Sequence, residues 1–127
     1  IVPNIKEADK ENIIHLAEDI KKLAENARSR SLDVNDLKGG TFTITNIGAY
    51  GGIFATPIVN YPEAAILAAG RIHEKPVVID SEIKIRKVLP LSLTFDHRIM
   101  DGGMAARFTN YIVKHLADPG LLLLELQ

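Results

Sequence analysis

Phe95-Asp96-His97-Arg98-Ile99-Met100-Asp101-Gly102-Gly103 is the stretch from which both the fold and the chemistry of this chain are read. An alternating run, Leu89 to Phe95, precedes it and predicts a strand; a helical pattern starts near Gly103. His97 therefore falls at a strand end, and Asp101, four residues later, at the start of a helix. An imidazole held there can act as a base near neutral pH, because its ordinary pKa is about 6.5. No residue of the chain is equipped as a partner nucleophile: it has no cysteine and no G-x-S-x-G elbow. A base at His97 thus implies a nucleophile that arrives with the substrate. A second reading stands beside the first. Asp101 caps the helix, Gly102-Gly103 permit the turn, and Asp96 and Arg98 form a local ion pair.

Bulk properties narrow the classes of function. The 127 residues suit one domain of ordinary size, and 46% hydrophobic with 24% charged residues is a globular composition. A net charge of −1 gives no basic footprint for nucleic acid or an anionic membrane. No apolar run approaches the roughly 18 residues of a membrane span. The absence of cysteine removes disulfides and thiolate metal sites and suits the cytosol. The chain begins Ile1-Val2-Pro3, like a strand already under way, and reads as a piece of something longer.

Outward from the central stretch, Asp9 to Ser29 predicts a helix. Ile13, Leu16, Ala17, Ile20, Leu23, Ala24 and Ala27 form its apolar stripe, and Asp9 is its expected N-cap. Thr41 to Asn46 alternates as a strand, with Phe42 and Ile44 on one side and Thr41, Thr43 and Thr45 on the other. Glu63 to Ile72 reads as a buried strand or a short helix, which periodicity alone does not separate. Pro76 to Ile79 and Ile83 to Lys87 predict a hairpin around Asp80-Ser81, a weak turn signal. The second helix runs from about Gly103 to Ala117, with Met104, Phe108, Tyr111, Ile112 and His115/Leu116 on one face, and Asp118-Pro119-Gly120 stops it. The leucines at 121 to 124 are too apolar for water and are expected to dock on the core or another subunit. Strands between two helices indicate an α/β or α+β fold with a mixed sheet.

Other candidate motifs carry less. Thr41, Thr43 and Thr45 are explained by the strand preference of threonine; the functional alternative is a hydroxyl donating to a developing oxyanion. Gly48, Gly51 and Gly52 do not make G-x-G-x-x-G, so no dinucleotide loop is expected. His15 lies off its helix's stripe, His73 is placed in a charged turn with Glu74 and Lys75, and His115 near a helix C-terminus gains from the dipole. No pair has metal-ligand spacing, and no metal is expected.

Asp96-His97-Arg98-Ile99-Met100-Asp101-Gly102 resembles the D-H-R-x-x-D-G signature of the dihydrolipoamide acyltransferases, the core components of 2-oxo acid dehydrogenase complexes. The His-x-x-x-Asp-Gly core is shared with chloramphenicol acetyltransferase and its relatives. Gly39 to Gly48, Thr56-Pro57-Ile58-Val59-Asn60 and Ala64-Ala65-Ile66-Leu67 agree independently, so the resemblance covers nearly the whole chain. It implies an α/β fold of the chloramphenicol acetyltransferase type, a mixed β-sheet flanked by helices. Residues 1–127 would be the C-terminal portion of the catalytic domain, without its N-terminal part or the lipoyl and subunit-binding domains.

The resemblance also implies roles. His97 matches the general base that takes the thiol proton from coenzyme A or dihydrolipoamide, after which the thiolate attacks an acyl thioester. Thr45 matches the Ser/Thr that donates to the tetrahedral oxyanion, and Asp101 the residue that assists or positions the base. Asp96 and Arg98 match bracing positions. Family members form homotrimers with active sites between subunits, assembling into cubic or dodecahedral cores. Their partners are the 2-oxo acid decarboxylase/dehydrogenase and dihydrolipoamide dehydrogenase components. The implied location is cytoplasmic, or the mitochondrial matrix in a eukaryote. Acetyl or branched-chain acyl transfer is expected ahead of succinyl, with coenzyme A as substrate and the lipoyl group carried on a domain outside this chain. The alternatives are a non-catalytic oligomeric scaffold and an acyltransferase of the chloramphenicol acetyltransferase type.

Overall fold

The apolar run Ala65–Ala69 forms the central strand of a three-stranded sheet, and the chain's most buried side chains lie on it, Ala68 at 1% exposure. A strand buried on both faces reads as a continuous apolar run, which resolves the strand-or-helix ambiguity of this segment. The structure is a computed structural model that describes residues 1–125. It divides into two compact units, Ile1–Thr41 and Phe42–Gln127.

The first unit is built on α1 (Ile13–Ser29). Its N-cap is Asn12, whose side-chain oxygen accepts the His15 N–H at 2.9 Å, and not Asp9. Asp9 sits in a separate 3-10 turn, Ala8–Lys10, so the helix starts one turn later than a cap at Asp9 implies, at the first residue of the apolar stripe. Arg30 ends α1 in the left-handed region at φ 59°. Asp33 and Asp36 then form a capping box around the 3-10 turn Val34–Leu37, and Asn4 bonds back to Asp36 and Lys38. Leu16, Leu23, Ala24 and Ala27 are half-buried, whereas Ile13 and Ile20 stay exposed.

In the second unit β1 (Thr43–Asn46) runs parallel to β2 (Ala65–Ala69), and β5 (Leu91–Phe95) runs antiparallel on its other side. This is the mixed sheet expected from the sequence. Parallel neighbours need a crossover; here it is the segment 47–64, which holds the 3-10 turn Gly48–Tyr50. Phe42 and Ile44 share a face as read. Ile44 is nevertheless 69% exposed, whereas Thr43 and Thr45 on the other face of β1 are half-buried.

β3 (His73–Ile79) and β4 (Glu82–Val88) pair as a two-stranded hairpin, longer than the sequence suggested, so His73 opens a strand and is not in a turn. Asp80 and Ser81 both have positive φ, 54° and 63°, the signature of a type I′ turn. Its right-handed twist matches that of the flanking strands.

α2 (Gly102–Ala117) packs on the sheet, with the Phe108 ring edge-on to Phe42 at 5.6 Å. Its buried line is Ala105, Thr109, Ile112 and His115, displaced from the expected one: Met104, Tyr111 and Leu116 face outward. His115 is buried, and its Nδ1–H donates to the Tyr111 carbonyl at 2.7 Å. The expected stop at Asp118-Pro119-Gly120 is observed, and α3 (Gly120–Glu125) follows. Of the leucine tail, Leu121 and Leu122 are half-buried while Leu124 is 69% exposed; the side chain of Leu123 lies outside the described residues. Among the described residues no helix is long and apolar enough to cross a membrane.

Candidate active site

The segment carrying His97 is a turn tied at both ends. At the sheet end, the Asp96 N–H donates to the Ala64 carbonyl at 2.8 Å, extending the β2–β5 ladder by one bond past Phe95. The Ile99 and Met100 N–H groups then fold back onto the Asp96 carbonyl, at 3.0 and 3.2 Å. At the helix end, Asp101 is the N-cap of α2: its Oδ1 accepts the Met104 N–H at 2.7 Å. That satisfies a backbone donor left over at every helix start. The capped-turn reading is therefore realised, and it leaves His97 exposed at the apex, within one turn of Asp101.

The expected Asp96–Arg98 pair is present and bidentate. Arg98 Nε donates at 3.0 and 3.1 Å and Nη2 at 2.7 Å, and the Arg98 backbone N–H donates at 2.9 Å. These bonds hold the Asp96 carboxyl at a pKa of about 2, below its ordinary 3.8, and raise that of Arg98. The imidazole of His97 touches the ring of Phe95, with centroids 5.6 Å apart.

Thr45 occupies a different part of the sheet. On β1 it is in register with Ala68, and Ala68 is in register with Ser92 on β5. His97 lies five residues past Ser92, so the two stand roughly 16 Å apart along the strands and about 9.5 Å across them. A hydrogen bond spans about 3 Å. The structure thus brings His97 and Asp101 to one turn and leaves Thr45 at the opposite end of the sheet.

The Thr45 end is braced by backbone. Ile47 N–H donates to Ala69 O at 3.0 Å, Arg71 N–H to Gly52 O at 2.7 Å, and Gly48 N–H to the Asn46 side chain at 2.9 Å. Gly70 is required there, because a Cβ on it would lie 2.0 Å from the Ile53 carbonyl oxygen.

One residue escaped the sequence reading. Glu63 is buried, and its carboxylate accepts Thr43 Oγ1–H at 2.6 Å and the Asn60 amide at 3.4 Å. The signal available was an acid directly before an apolar run. Such a residue must be satisfied by its neighbours when the run is buried. Among the described residues, no group of three or more histidines and acids could hold a metal ion.

The mixed sheet with its sheet-to-helix turn is the fold of the acyltransferase catalytic cores that the chain resembles. The sequence profile of the 2-oxoacid dehydrogenases acyltransferase (catalytic domain) family matches residues 1–124, and the chain belongs to that family. It is 49% identical over 125 residues to the dihydrolipoyllysine-residue acetyltransferase component of the pyruvate dehydrogenase complex of Acholeplasma laidlawii. That match takes in 98% of this chain and 23% of the relative. Dihydrolipoamide acetyltransferase of Azotobacter vinelandii superposes with a TM-score of 0.92 at 43% identity, covering 97% of this chain and 51% of that one. The cubic core of a pyruvate dehydrogenase multienzyme complex gives the same TM-score, 0.92, at 42% identity. The chain therefore spans about a quarter of the curated relatives it matches and about half of the solved chains.

Proposed function

We propose that this chain is the C-terminal portion of an acyltransferase catalytic domain that moves an acetyl group between dihydrolipoamide and coenzyme A at the core of a pyruvate dehydrogenase-type complex. One observation carries the reading. The Azotobacter vinelandii neighbour was solved to define the catalytic roles of a serine, a histidine and an asparagine that stand 52 and 4 residues apart. Thr45, His97 and Asp101 have the same separations and the same order.

The chemistry follows from the residue types. His97 takes the proton from the attacking thiol, whose pKa near 8.5 asks for only modest help. The thiolate carbon–sulfur bond forms at the thioester carbonyl, and the carbonyl oxygen becomes an oxyanion that accepts the Thr45 Oγ1–H. Collapse breaks the original carbon–sulfur bond, and the departing sulfur takes the proton back from the imidazolium. Asp101, with one oxygen committed to the Met104 N–H, serves by fixing the turn. Because Thr45 and His97 of one chain are too far apart for a single thioester, the base of one chain works with the threonine of a second in a trimeric core.

The test is acetyl exchange between coenzyme A and dihydrolipoamide by the full protein that carries this segment. His97→Ala should lower turnover about 10²–10⁴-fold with the circular dichroism spectrum unchanged. Wild-type turnover in that variant would overturn the assignment.

A further inference from the structure

We infer that Glu63 is a positioning residue for Thr45: its buried carboxylate holds the head of β1 through Thr43. This role rests on Thr45 being the oxyanion donor of the proposed reaction. β1 is a four-residue edge strand with β2 as its one neighbour in the sheet. Its far end is fastened by the Ile47 N–H, which donates to the Ala69 carbonyl at 3.0 Å. At its head the Thr43 hydroxyl donates to Glu63 Oε2 at 2.6 Å, a length typical of a hydroxyl on a carboxylate. Thr43 and Thr45 are two apart on the strand and project to the same half-buried face. A displacement of Thr43 therefore carries Thr45 with it.

Glu63 is itself anchored at the end of the crossover. Its N–H donates to the Asn60 carbonyl at 2.7 Å, and its Oε1 accepts the Asn60 side-chain amide at 3.4 Å. Only 7% of the residue is exposed, and β2 begins two residues later at Ala65. An apolar side chain would fill this place without the cost of taking a carboxylate out of water. The acid is explained by what it holds. Thr43, Thr45, Asn60 and Glu63 belong to one chain, so the tether is complete there whichever copy supplies His97.

Glu63→Ala removes the tether. Glu63→Gln keeps it, because the new amide oxygen accepts from Thr43 and its NH2 group donates to Asn60 once that amide turns over. In acetyl exchange by the full protein, Glu63→Ala should lower kcat about tenfold with KM for coenzyme A little changed, and Glu63→Gln should restore it. Thr45→Ala supplies the deciding background. A residue that acts through Thr45 has no further effect on kcat once Thr45 is alanine, whereas a general loosening of the fold lowers kcat equally in both backgrounds. The same tenfold loss in both overturns the inference. If Glu63→Ala does not fold, Thr43→Val removes only the hydroxyl and carries the same comparison; wild-type kcat in a folded Thr43→Val protein overturns it as well. Hydrogen exchange followed by mass spectrometry reads the tether without activity: the β1 amides should exchange about tenfold faster in Glu63→Ala, and unchanged exchange refutes the tether. If Thr45→Ala transfers acetyl like wild type, the oxyanion assignment fails instead, and β1 exchange still decides whether Glu63 holds the strand.

Discussion

Thr45 and His97 share one sheet and lie at its opposite ends: β1 delivers Thr45 to the row of Ala68 and Ser92, while β5 delivers His97 past Phe95 at the other edge. The cause is strand direction. β1 is parallel to β2 and β5 is antiparallel to it, so the C-terminal ends of β1 and β5 point away from each other. In the proposed trimeric core, the two groups of one chain would therefore serve two different sites.

Subunit mixing makes that arrangement measurable. His97→Ala chains lack the base and Thr45→Ala chains lack the oxyanion donor, so assemblies of either alone should lose about 10²–10⁴-fold and about 10²–10³-fold in turnover, respectively. Co-assembled at equal amounts, one site in four combines an intact His97 with an intact Thr45, and about a quarter of wild-type activity should return. A mixture no more active than its two components would refute the shared site.

Asp101 separates a cap from a proton-transfer role. Its Oδ1 accepts the Met104 N–H at 2.7 Å, a bond that an asparagine oxygen can also make. Asp101→Asn should leave the denaturation midpoint near wild type and retain most turnover. Asp101→Ala removes the cap and should cost about 1 kcal/mol of stability, with turnover falling as the His97 turn loosens. Urea unfolding paired with acetyl exchange reads both. Equal losses in the two variants would show that the negative charge, not the cap, is what the site uses.

Much of this architecture was legible locally. The strand-to-helix junction around His97, the Asp96–Arg98 pair, the Asp101 cap and the 80–81 turn each depend on residues within a few positions of one another. What could not be read is set by pairing at a distance. That Thr45 and His97 diverge follows from the register of β2 with both neighbours, and no periodicity in β1 or β5 encodes it. Glu63 is explained by Thr43, twenty residues away, for the same reason. The misplaced cap at Asp9 has a different origin. Asp9 and Asn12 are both good cap residues, and the choice fell to the one whose oxygen reaches the third helical N–H. In α2 the stripe follows the apolar residues, whereas the positions actually buried are the small Ala105 and the bonded His115.

The Asp96–Arg98 pair predicts an acid-dependent loss of stability. The folded carboxyl is held at about 2 against an ordinary 3.8, chiefly by the Arg98 side-chain hydrogen bond. A depressed folded pKa contributes stability that is complete above the unfolded value and disappears as pH falls through the folded one. Arg98→Met should therefore lower the urea midpoint slightly at pH 6, and the gap should close between pH 4 and 2. The pair is open to solvent, so the gap is small and shrinks further in molar salt. A gap that persists unchanged to pH 2 would mean that Arg98 acts through packing rather than charge.

Two glycines should respond to alanine in opposite directions. At Gly70 the added methyl would meet the Ile53 carbonyl oxygen at 2.0 Å and its carbon at 2.8 Å, both backbone atoms that no rotamer change can move aside. The crossover must shift, breaking the Arg71–Gly52 and Ile47–Ala69 bonds that anchor the segment after Thr45. Gly70→Ala should cost about 1–3 kcal/mol and reduce turnover through Thr45. At Gly102, the first residue of α2, nothing lies within 4 Å of the new methyl. Gly102→Ala there removes freedom only from the unfolded chain and should add about 0.4–1 kcal/mol. Differential scanning calorimetry of the two variants checks the pair, and a stable Gly70→Ala protein would show that the crossover is not held against β2 as tightly as the backbone contact requires.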